Sequence, residues 1–388
     1  MEKQRLQSVQ ALTNSKSIKM KAIWGYILLV FSVTTAVAQD GLIPPVEMQK
    51  IYQKVKTPYK YGLVMVPEDK EHKMDCPTIF KKGKDWYMTY LIFSGRGYET
   101  CLAKSKDLLH WENQGKIMSF NDSGQWDDNQ KAGYNALLDI KWGGSYAVNQ
   151  FDGKYWMSYF GGKEKGYEVE PLSIGMAYTS QHPSFAQEWK RLETPVLTSL
   201  DADVRWWENR NKLFKSTVIE DKKRLTGHRF VMYYNAVGDS LVNNKKTRWY
   251  ERIGMAVSDD MVHWKRFKNN PVVHHPAGIT GDAVIQQIGN HYVMFYFGAF
   301  WQDRNGSFNR FAVSKDLVNW TDWTGDNLIE SSEKYDELYA HKSFVLKYKG
   351  VVYHFYCAVN KQDQRGIAVA TSKDLGISKV NFVSETKN

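Results

Sequence analysis

The sequence predicts an all-β protein, a five-bladed β-propeller with four antiparallel strands in each blade and a short N-terminal helix. The first observation is a repeated phrase, Ser-Lys-Asp-Leu-x-x-Trp or a close variant, which begins at Ser105, Ser258 and Ser314. A truncated copy begins at Ser372, and a degenerate copy begins at Thr179. Repetition of one motif indicates a stacked or circular array of one supersecondary unit. Five copies therefore favour a propeller over a β-sandwich, the alternative all-β fold.

The second observation is a strand rich in aromatic and β-branched residues ahead of each copy, as suits a packed, pleated surface. These strands are 86–90, 155–159, 230–234, 292–296 and 352–356. Another apolar strand precedes them across a polar or Gly-containing turn, such as residues 82–84, which indicates a hairpin. A third strand follows, and the repeat leads into the fourth. We expect the Asp of the repeat to form a turn through its side chain and the Trp to pack between blades.

The N-terminal residues are predicted to form a signal peptide over residues 1–38. Lys16, Lys19 and Lys21 precede an apolar run over residues 22–33, and residues 36–38 offer a small-residue cleavage site. The run is too short for a comfortable membrane span. We therefore expect a periplasmic or secreted protein that has no membrane span once the signal peptide is removed.

The rest of the chain divides into two predicted segments. Residues 39–66 are expected to form an N-terminal extension with a short helix, because Met48, Ile51, Tyr52 and Val55 recur at helical spacing. Residues 67–388 are expected to form the five-bladed propeller, which is also the catalytic domain.

Composition and cysteine usage argue against several classes of protein. The formal net charge is +10, but Lys and Arg form no dense block, so the sequence does not predict nucleic-acid binding. The three cysteines, Cys76, Cys101 and Cys357, do not make a disulfide framework. Buried thiols are expected, with one bridge from Cys357 to Cys76 or Cys101 as the alternative. We predict a monomer with no cofactor, and a structural cation in the central channel is the alternative.

The residues that open the innermost strands are expected to line the central funnel. Asp75 and Asp282 open two of these strands, Asp139 lies upstream of another, and Glu208 lies upstream of a fourth. Hydrolysis of a glycosidic bond needs two carboxyl groups, one protonated and one ionised. Neighbouring cations and carboxylates set those protonation states. The ring therefore has suitable groups for sugar chemistry, and the alternative is that Asp75 and Asp282 only cap strand ends.

Cationic and aromatic side chains near the same openings are candidate substrate-binding residues. They are Trp142, Trp207, Lys215, Arg252, His341 and Lys342. The tryptophans offer stacking platforms for a sugar, and packing between blades is the alternative. Glu251 and Arg252 form either a structural ion pair or an arginine that reaches the funnel. Long insertions at 161–171, 239–250 and 301–308 are expected to carry specificity.

Part of this pattern resembles a known family. Residues 75–79, Asp-Cys-Pro-Thr-Ile, followed by a Gly-containing turn and Trp-Tyr-Met-Thr-Tyr at 86–90, resemble the first blade of glycoside hydrolase family 43. The repeated Ser-Lys-Asp turns are similar to those of the five-bladed glycosidase superfamily, which also includes families 32, 117 and 130. The resemblance covers residues 60–377, and residues 340–359 are similar to secreted bacterial glycosidases.

The resemblance implies roles for several of these residues. It makes Asp75 the general base and Asp139 the residue that tunes the acid. The family places its acid, a Glu, at the opening of the innermost strand of the third blade, where this chain has Lys215. The acid is therefore expected to be Asp282 or Glu208. Lys215, Arg252, His341 and Lys342 would bind or orient the sugar.

These observations together predict a secreted glycoside hydrolase that cleaves plant or algal oligosaccharides by acid/base catalysis, with inversion implied by the resemblance. An inverting glycoside phosphorylase is an alternative, because Lys215, His341 and Lys342 could hold phosphate as cations do in family 130. A non-catalytic glycan-binding propeller is another alternative, which the missing Glu in the third blade favours.

Overall fold

The computed structural model describes residues 42–185, 189–238, 250–267, 271–301 and 306–383. The predicted signal peptide, and most of the insertion at 239–250, lie outside these residues, as do residues 302–305 of the insertion at 301–308. The predicted short helix is confirmed as α1, Pro45–Val55, which buries Met48, Ile51 and Val55. Among the described residues, no helix is long and apolar enough to cross a membrane.

Apart from one short 3-10 helix, the remaining elements of the described residues are β-strands, so the all-β prediction is confirmed. Strand β1, Tyr59–Met65, comes first in the chain and is described with its sheet below. The first sheet contains β2 Lys73–Lys82, β3 Asp85–Phe93, β4 Tyr98–Ser105 and β5 Trp111–Met118, in that order. The second sheet contains β6 Gln130–Asn135, β7 Tyr155–Gly162, β8 Leu172–Thr179 and β9 Lys190–Arg191. Both sheets are antiparallel and four-stranded, as the repeat predicts.

A short 3-10 helix, Trp206–Glu208, precedes a nine-stranded sheet. Its first antiparallel run contains β10 Leu213–Glu220, β11 Phe230–Val237, β12 Glu251–Ser258 and β13 Lys265–Arg266. Its second run contains β14 Ile279–Ile288, β15 His291–Ala299, β16 Ser307–Ser314, β17 Thr321–Asp322 and β18 Ile329–Glu330. A single parallel pair, Glu251 with Ile279, joins the two runs.

The last sheet joins the two ends of the described chain, and we call it the closing sheet. It contains β19 Tyr339–Tyr348, β20 Val351–Val359 and β21 Arg365–Thr371, with β1 paired antiparallel to β21. The extension predicted over residues 39–66 therefore contributes a strand to this sheet, and the predicted boundary at residue 66 separates that strand from the others. The chain after Ser372 forms no further strand within residues 372–383.

The repeated motif builds turns, as the sequence predicts. In the first copy, Ser105 Oγ accepts a hydrogen bond from the Leu108 amide, and Asp107 Oδ1 accepts from the amide of His110. The Trp111 indole donates to the Leu108 carbonyl, and its ring packs edge-on against Phe355 of the closing sheet. The copies at Ser258 and Ser314 repeat the same hydrogen bonds. These residues hold neighbouring sheets together and are not part of a site.

Candidate active site

The same irregularity occurs in four strands, near one end of each. In β2, β10, β14 and β19 the pairing register with the next strand shifts, so that two residues oppose one. The two residues that oppose a single residue of the next strand are 76–77 in β2, 214–215 in β10, 282–283 in β14 and 342–343 in β19. Bulges bend a strand and re-aim its side chains, and they are common next to active sites. Three residues at these bulges, Cys76, Asp282 and Lys342, have positive φ angles of 49°, 60° and 58°.

These bulges meet around one cavity of about 190 Å³. Cys76, Lys215, Asp282 and Lys342 line it, and they come from four different strands. The wall above them is built by residues that open the third strand of a sheet or run. These are Tyr98 in β4, Glu251 in β12, Ser307 in β16 and Arg365 in β21. The cavity is therefore assembled from two sets of equivalent positions, of which only the first was predicted from the sequence.

Asp75 lies beside the cavity and is 1% exposed. Its Oδ2 accepts a hydrogen bond from Lys342 Nζ at 2.6 Å and from the Tyr98 hydroxyl at 3.2 Å, with Arg365 Nη1 at 3.7 Å. Burial alone would raise the pKa of Asp75, but the positive charges of Lys342 and Arg365 hold the pKa well below its ordinary value. Asp75 is therefore an ionised carboxylate that fixes the position of Lys342.

Asp282 occupies the place in β14 that Cys76 occupies in β2, and it lines the cavity directly. Its Oδ1 accepts a hydrogen bond from Asn235 Nδ2 at 3.1 Å, and its own amide donates to Asn235 Oδ1. Lys215 Nζ lies 3.9 Å from Asp282 Oδ2, and Cys76 Sγ lies 3.5 Å from the same oxygen. The predicted residues Asp75, Asp282, Lys215 and Lys342 are thus brought together.

His341 also lines the cavity, and it is neutral. Burial, followed by the positive charge of Lys342, lowers its pKa to about 3. Its Nδ1 lies 3.3 Å from the Cys357 carbonyl oxygen, which orients the ring. An uncharged imidazole can hydrogen-bond a sugar but supplies no positive charge to an anion.

Glu251 is a carboxyl group that was not predicted to be an acid from the sequence. It is 9% exposed, opens β12 and faces the cavity. Burial, the nearby carboxylate of Glu168 and that of Asp282 raise its pKa to about 8. Glu251 therefore keeps its proton at neutral pH, which is the state that a proton donor requires.

Glu168 faces the same cavity from the predicted specificity loop between β7 and β8. The Gln130 side-chain amide supports this loop by donating to the carbonyls of Glu164 and Gly166. Burial and the carboxylate of Asp75 keep the pKa of Glu168 above its ordinary value, and the positive charges of Lys342 and Arg365 limit that rise. The neighbouring Tyr167 hydroxyl accepts a hydrogen bond from Arg365 at 2.9 Å. The loop thus places a second carboxyl group near Glu251.

Glu208, a predicted acid, does not line this cavity. Its carboxylate accepts hydrogen bonds from Arg266 Nε at 2.6 Å and from the Tyr234 hydroxyl at 2.9 Å. Trp207 is fully buried next to it, and a Cβ added at Gly254 would lie 2.1 Å from the Trp207 ring. Both residues therefore pack beneath β12, because the 3-10 helix turns them inward.

Three further predicted residues also lie outside the cavity lining. Asp139 Oδ2 accepts hydrogen bonds from the amide and hydroxyl of Ser145, which closes a loop between β6 and β7. Trp142 stacks on Phe295 at 6.4 Å between ring centres. The Arg252 guanidinium lies 4.9 Å from the Trp206 ring, because its neighbour Glu251 points to the opposite side of β12.

The cysteines and the possible metal-ligating side chains have defined positions within the described residues. Cys76, Cys101 and Cys357 are free and buried, as the first alternative predicts. The Cys76 amide donates to Cys357 Sγ at 3.0 Å, so these two lie side by side below the cavity. Within the ranges that the structure describes, no group of three or more His, Cys, Asp or Glu side chains is placed to hold a metal ion.

Comparison with known proteins gives the class of the molecule. No protein-family model matches the chain, and no curated protein matches it. A solved structure of a complex of BT0996 and RGII is 50% identical, with a TM-score of 0.84 over 87% of this chain and 98% of that chain. A second, named "Glycoside hydrolase", is also 50% identical, with a TM-score of 0.84 over 88% of this chain and 99% of that chain. The protein is therefore a glycoside hydrolase.

More particularly, the chain belongs to the family of glycoside hydrolases that contains these two structures. Distant structures agree in fold alone. A thermostable family-43 glycoside hydrolase is 15% identical, with a TM-score of 0.54 over 81% of this chain and 94% of that chain. A family 117 glycoside hydrolase of Zobellia galactanivorans is 13% identical, with a TM-score of 0.58 over 82% of this chain and 91% of that chain. The predicted glycoside hydrolase class is confirmed by the two structures at 50% identity, and the distant structures share the fold of this chain.

Proposed function

We propose that the protein hydrolyses a glycosidic bond of an oligosaccharide in this cavity, with Glu251 as the proton donor. One observation carries the proposal: Glu251 is a carboxyl group with a pKa of about 8 that shares a cavity with a second carboxyl group, in a member of a glycoside hydrolase family. A departing sugar oxygen is a poor leaving group until it is protonated. A carboxylic acid that keeps its proton at neutral pH supplies that proton.

Glu168 is the second carboxyl group of the proposed pair. Lys342 and Arg365 favour its ionised form, and an ionised Glu168 in turn raises the pKa of Glu251. Electrostatics of this kind keep one carboxyl group protonated and the other ionised, which is the division of roles that glycoside hydrolysis requires. Glu168 then activates a water or attacks the sugar itself. Inversion, which the resemblance to family 43 implies, corresponds to activation of a water.

Asp75 has a different role in this proposal from the one that the sequence predicts. Its carboxylate is almost fully buried and already accepts hydrogen bonds from Lys342 and Tyr98. A general base must reach the proton that it removes, and this carboxylate is engaged on its cavity side. We therefore assign Asp75 as a positioning residue that holds Lys342 beside Glu168.

The finer predictions on fold, substrate and location extend the same proposal. Counting the two antiparallel runs of the nine-stranded sheet as separate blades gives five blades, because a single parallel pair joins them. One protein at 50% identity is named as a complex with RGII, which supports an oligosaccharide substrate here. We propose a plant or algal oligosaccharide as the substrate class. We also propose that residues 1–38 direct export to the periplasm or the medium.

The test is sugar release from RGII oligosaccharides and from a panel of plant and algal oligosaccharides. Wild type is compared with E251Q, E168Q and D75N, and with E112Q, which alters an exposed glutamate on β5. We expect E251Q and E168Q to lose at least about 100-fold in kcat, the usual size of acid/base catalysis, and E112Q to match wild type. Full activity in E251Q would overturn the assignment of the acid.

The same assay separates hydrolysis from its alternatives. Sugar release that is independent of inorganic phosphate supports hydrolysis, whereas formation of a sugar phosphate only when phosphate is present would make the protein a phosphorylase. NMR of the first product formed gives its anomeric configuration and therefore tests inversion. Oligosaccharide binding without release of any product would contradict a hydrolytic role for the cavity.

A further inference from the structure

We propose that Lys215 and Asp282 together bind one hydroxyl group of an uncharged sugar at the floor of the cavity, and that this pair selects against uronic acids and phosphate. The inference rests on the proposed function, since it specifies which sugars the same cavity accepts. It gives a role to Lys215, which occupies the position where the family 43 pattern has a catalytic glutamate.

The Lys215 ammonium group is in an unusual state. Lys215 is 2% exposed and lines the cavity, yet its Nζ makes no hydrogen bond to any described residue. A buried ammonium without hydrogen bonds is costly, because it has lost its water and gained no acceptor. The Tyr134 ring lies 5.5 Å away and gives only a weak cation–π contact. An acceptor supplied by a ligand would remove this cost.

Lys215 lies close to the carboxylate of Asp282 without a direct hydrogen bond to it. Nζ lies 3.9 Å from Asp282 Oδ2, which is too long for a hydrogen bond but short for two opposite charges. An oxygen beside both groups could hydrogen-bond each of them. That oxygen must accept from the ammonium, which only donates, and donate to the carboxylate, which only accepts. A sugar hydroxyl does both. An ionised carboxylate cannot donate, and phosphate, which keeps a hydroxyl at neutral pH, would bring its negative charge next to Asp282.

Asn235 and Tyr134 surround the pair formed by Lys215 and Asp282. Asn235 holds Asp282 by hydrogen bonds in both directions, so the carboxylate has a fixed orientation. The Tyr134 residue is 2% exposed, and its hydroxyl has no oxygen or nitrogen partner among the described residues. Burial, followed by Cys76, raises the pKa of this hydroxyl, which therefore stays protonated. A second sugar hydroxyl, adjacent to the one that Lys215 and Asp282 bind, can hydrogen-bond to the Tyr134 hydroxyl. An anionic substituent would instead face Asp282 with a like charge, so the floor rejects it.

The cations of the cavity therefore do not form an anion site. Lys342 and Arg365 share the carboxylate of Asp75 and lie near Glu168, and Lys215 faces Asp282. The three positive charges therefore face three carboxyl groups, so a uronate would gain little attraction and would lose its water. Selection of this kind comes from the mismatched polar group more than from the matched one.

The experiment measures binding of small sugars, which does not depend on turnover. The probes are D-galactose, D-glucose and D-xylose, compared with D-galacturonate, D-glucuronate and inorganic phosphate, by ligand-observed NMR titration. K215M is the main variant, and K215M/D282N removes both charges in case an unpaired Asp282 destabilises the fold. The control is K60M, which also breaks a lysine pair with a buried aspartate, Asp336, outside the cavity.

We expect wild type and K60M to bind at least one neutral sugar and to prefer it to the uronate of the same configuration. K215M and K215M/D282N should bind that sugar about 10-fold or more weakly, as for loss of a hydrogen bond to a charged group. Equal or better binding of uronates or phosphate, no binding of any neutral sugar, or equal loss in K60M would overturn the proposal. If these binding results contradict the proposal while wild type still hydrolyses oligosaccharides, the assignment of the cavity floor has failed and the proposed function has not.

Discussion

Two buried glutamates, Glu208 in the 3-10 helix and Glu251 at the start of β12, show how partners decide the role of a carboxyl group. Burial is the largest effect on both, and it raises both pKa values. Glu208 is balanced by Arg266, which also binds Asp201 and Asp203. Glu251 faces Glu168 and Asp282, whose charges raise its pKa further. The first is part of an ion-pair network, and the second retains a proton.

Neighbours in sequence are a poor guide to this difference between the two glutamates. Glu208 follows two tryptophans, which makes it resemble a sugar site, whereas Glu251 precedes an arginine and resembles half of an ion pair. In the structure Trp207 packs beneath Gly254 and Arg252 lies over Trp206. The different roles of Glu208 and Glu251, and those of the groups around them, can be tested by four predictions in order of decreasing effect.

Replacing each glutamate by glutamine should separate catalysis from stability. We expect E251Q to lose at least about 100-fold in kcat without any loss in melting temperature. E208Q should keep the kcat of the folded enzyme but lose about 3 kcal/mol in free energy of unfolding, because breaking a buried ion pair leaves a charge poorly compensated. Kinetics and urea unfolding of both variants check this. The contrast fails if E208Q is the less active variant at equal folded fraction.

The pH dependence of stability should differ between wild type and E251Q. A carboxyl group whose pKa is raised by folding stabilises the protein fully below its unfolded pKa, near 4.5, and loses that contribution as the pH rises through about 8. Wild type should therefore lose more stability than E251Q between these two values. Melting temperatures at intervals across this range measure the effect. Parallel curves for the two proteins would mean that Glu251 ionises normally.

Removal of Glu168 should lower the pKa of Glu251. The carboxylate of Glu168 is the largest charge effect that raises this pKa, so E168Q should move the titration of Glu251 toward its ordinary value. NMR titration of carboxyl carbons in protein labelled at glutamate checks this, with E251Q used to assign the signal. D139N is the control, because Asp139 lies outside the cavity lining and is not among the causes of the shift at Glu251. An unchanged titration in E168Q would separate the two carboxyl groups.

The aspartates of the repeated turns should matter least. Asp107, Asp260 and Asp316 each accept two backbone hydrogen bonds at partly exposed turns. Each change to alanine should cost about 1 kcal/mol in free energy of unfolding, the usual net value of such bonds, and leave kcat unchanged. Urea unfolding with a parallel activity assay measures both. A loss of activity at full folding would give the repeat a role beyond the fold.

Much of the fold could be predicted because its signals are local. Repeated turns, aromatic strands and Gly-containing hairpin turns each lie within a few residues, and they gave the strand pattern of the sheets. The pairing of β1 with β21 could not be predicted this way, because it joins residues 59–65 to residues 367–371 and carries no local motif. The truncated repeat at Ser372 was the only hint, since it lacks the Trp that begins a fourth strand elsewhere.

The candidate site was predictable only in part. Asp75, Asp282, Lys215, His341 and Lys342 were identified because they open or lie near the start of innermost strands. Glu251 and Arg365 open third strands, and the aligned repeats could have revealed them if those positions had also been compared. Glu168 lies in a loop without any repeat equivalent, and its position depends on Gln130 and on Arg365 through Tyr167. Such contacts between distant parts of the chain leave no signal in one sequence.

The closing sheet also sets a schedule for synthesis. Strand β1 ends at Met65, and its partner β21 begins at Arg365, so about 300 residues must be made in between, which takes about 15–60 s at ordinary rates of translation. Throughout that interval β1 has no partner strand, and an unpaired edge readily joins other chains. Strand β1 therefore stays unpaired until β21 of the closing sheet has been made. Association with other nascent chains during this interval is the main risk for the folding of this enzyme.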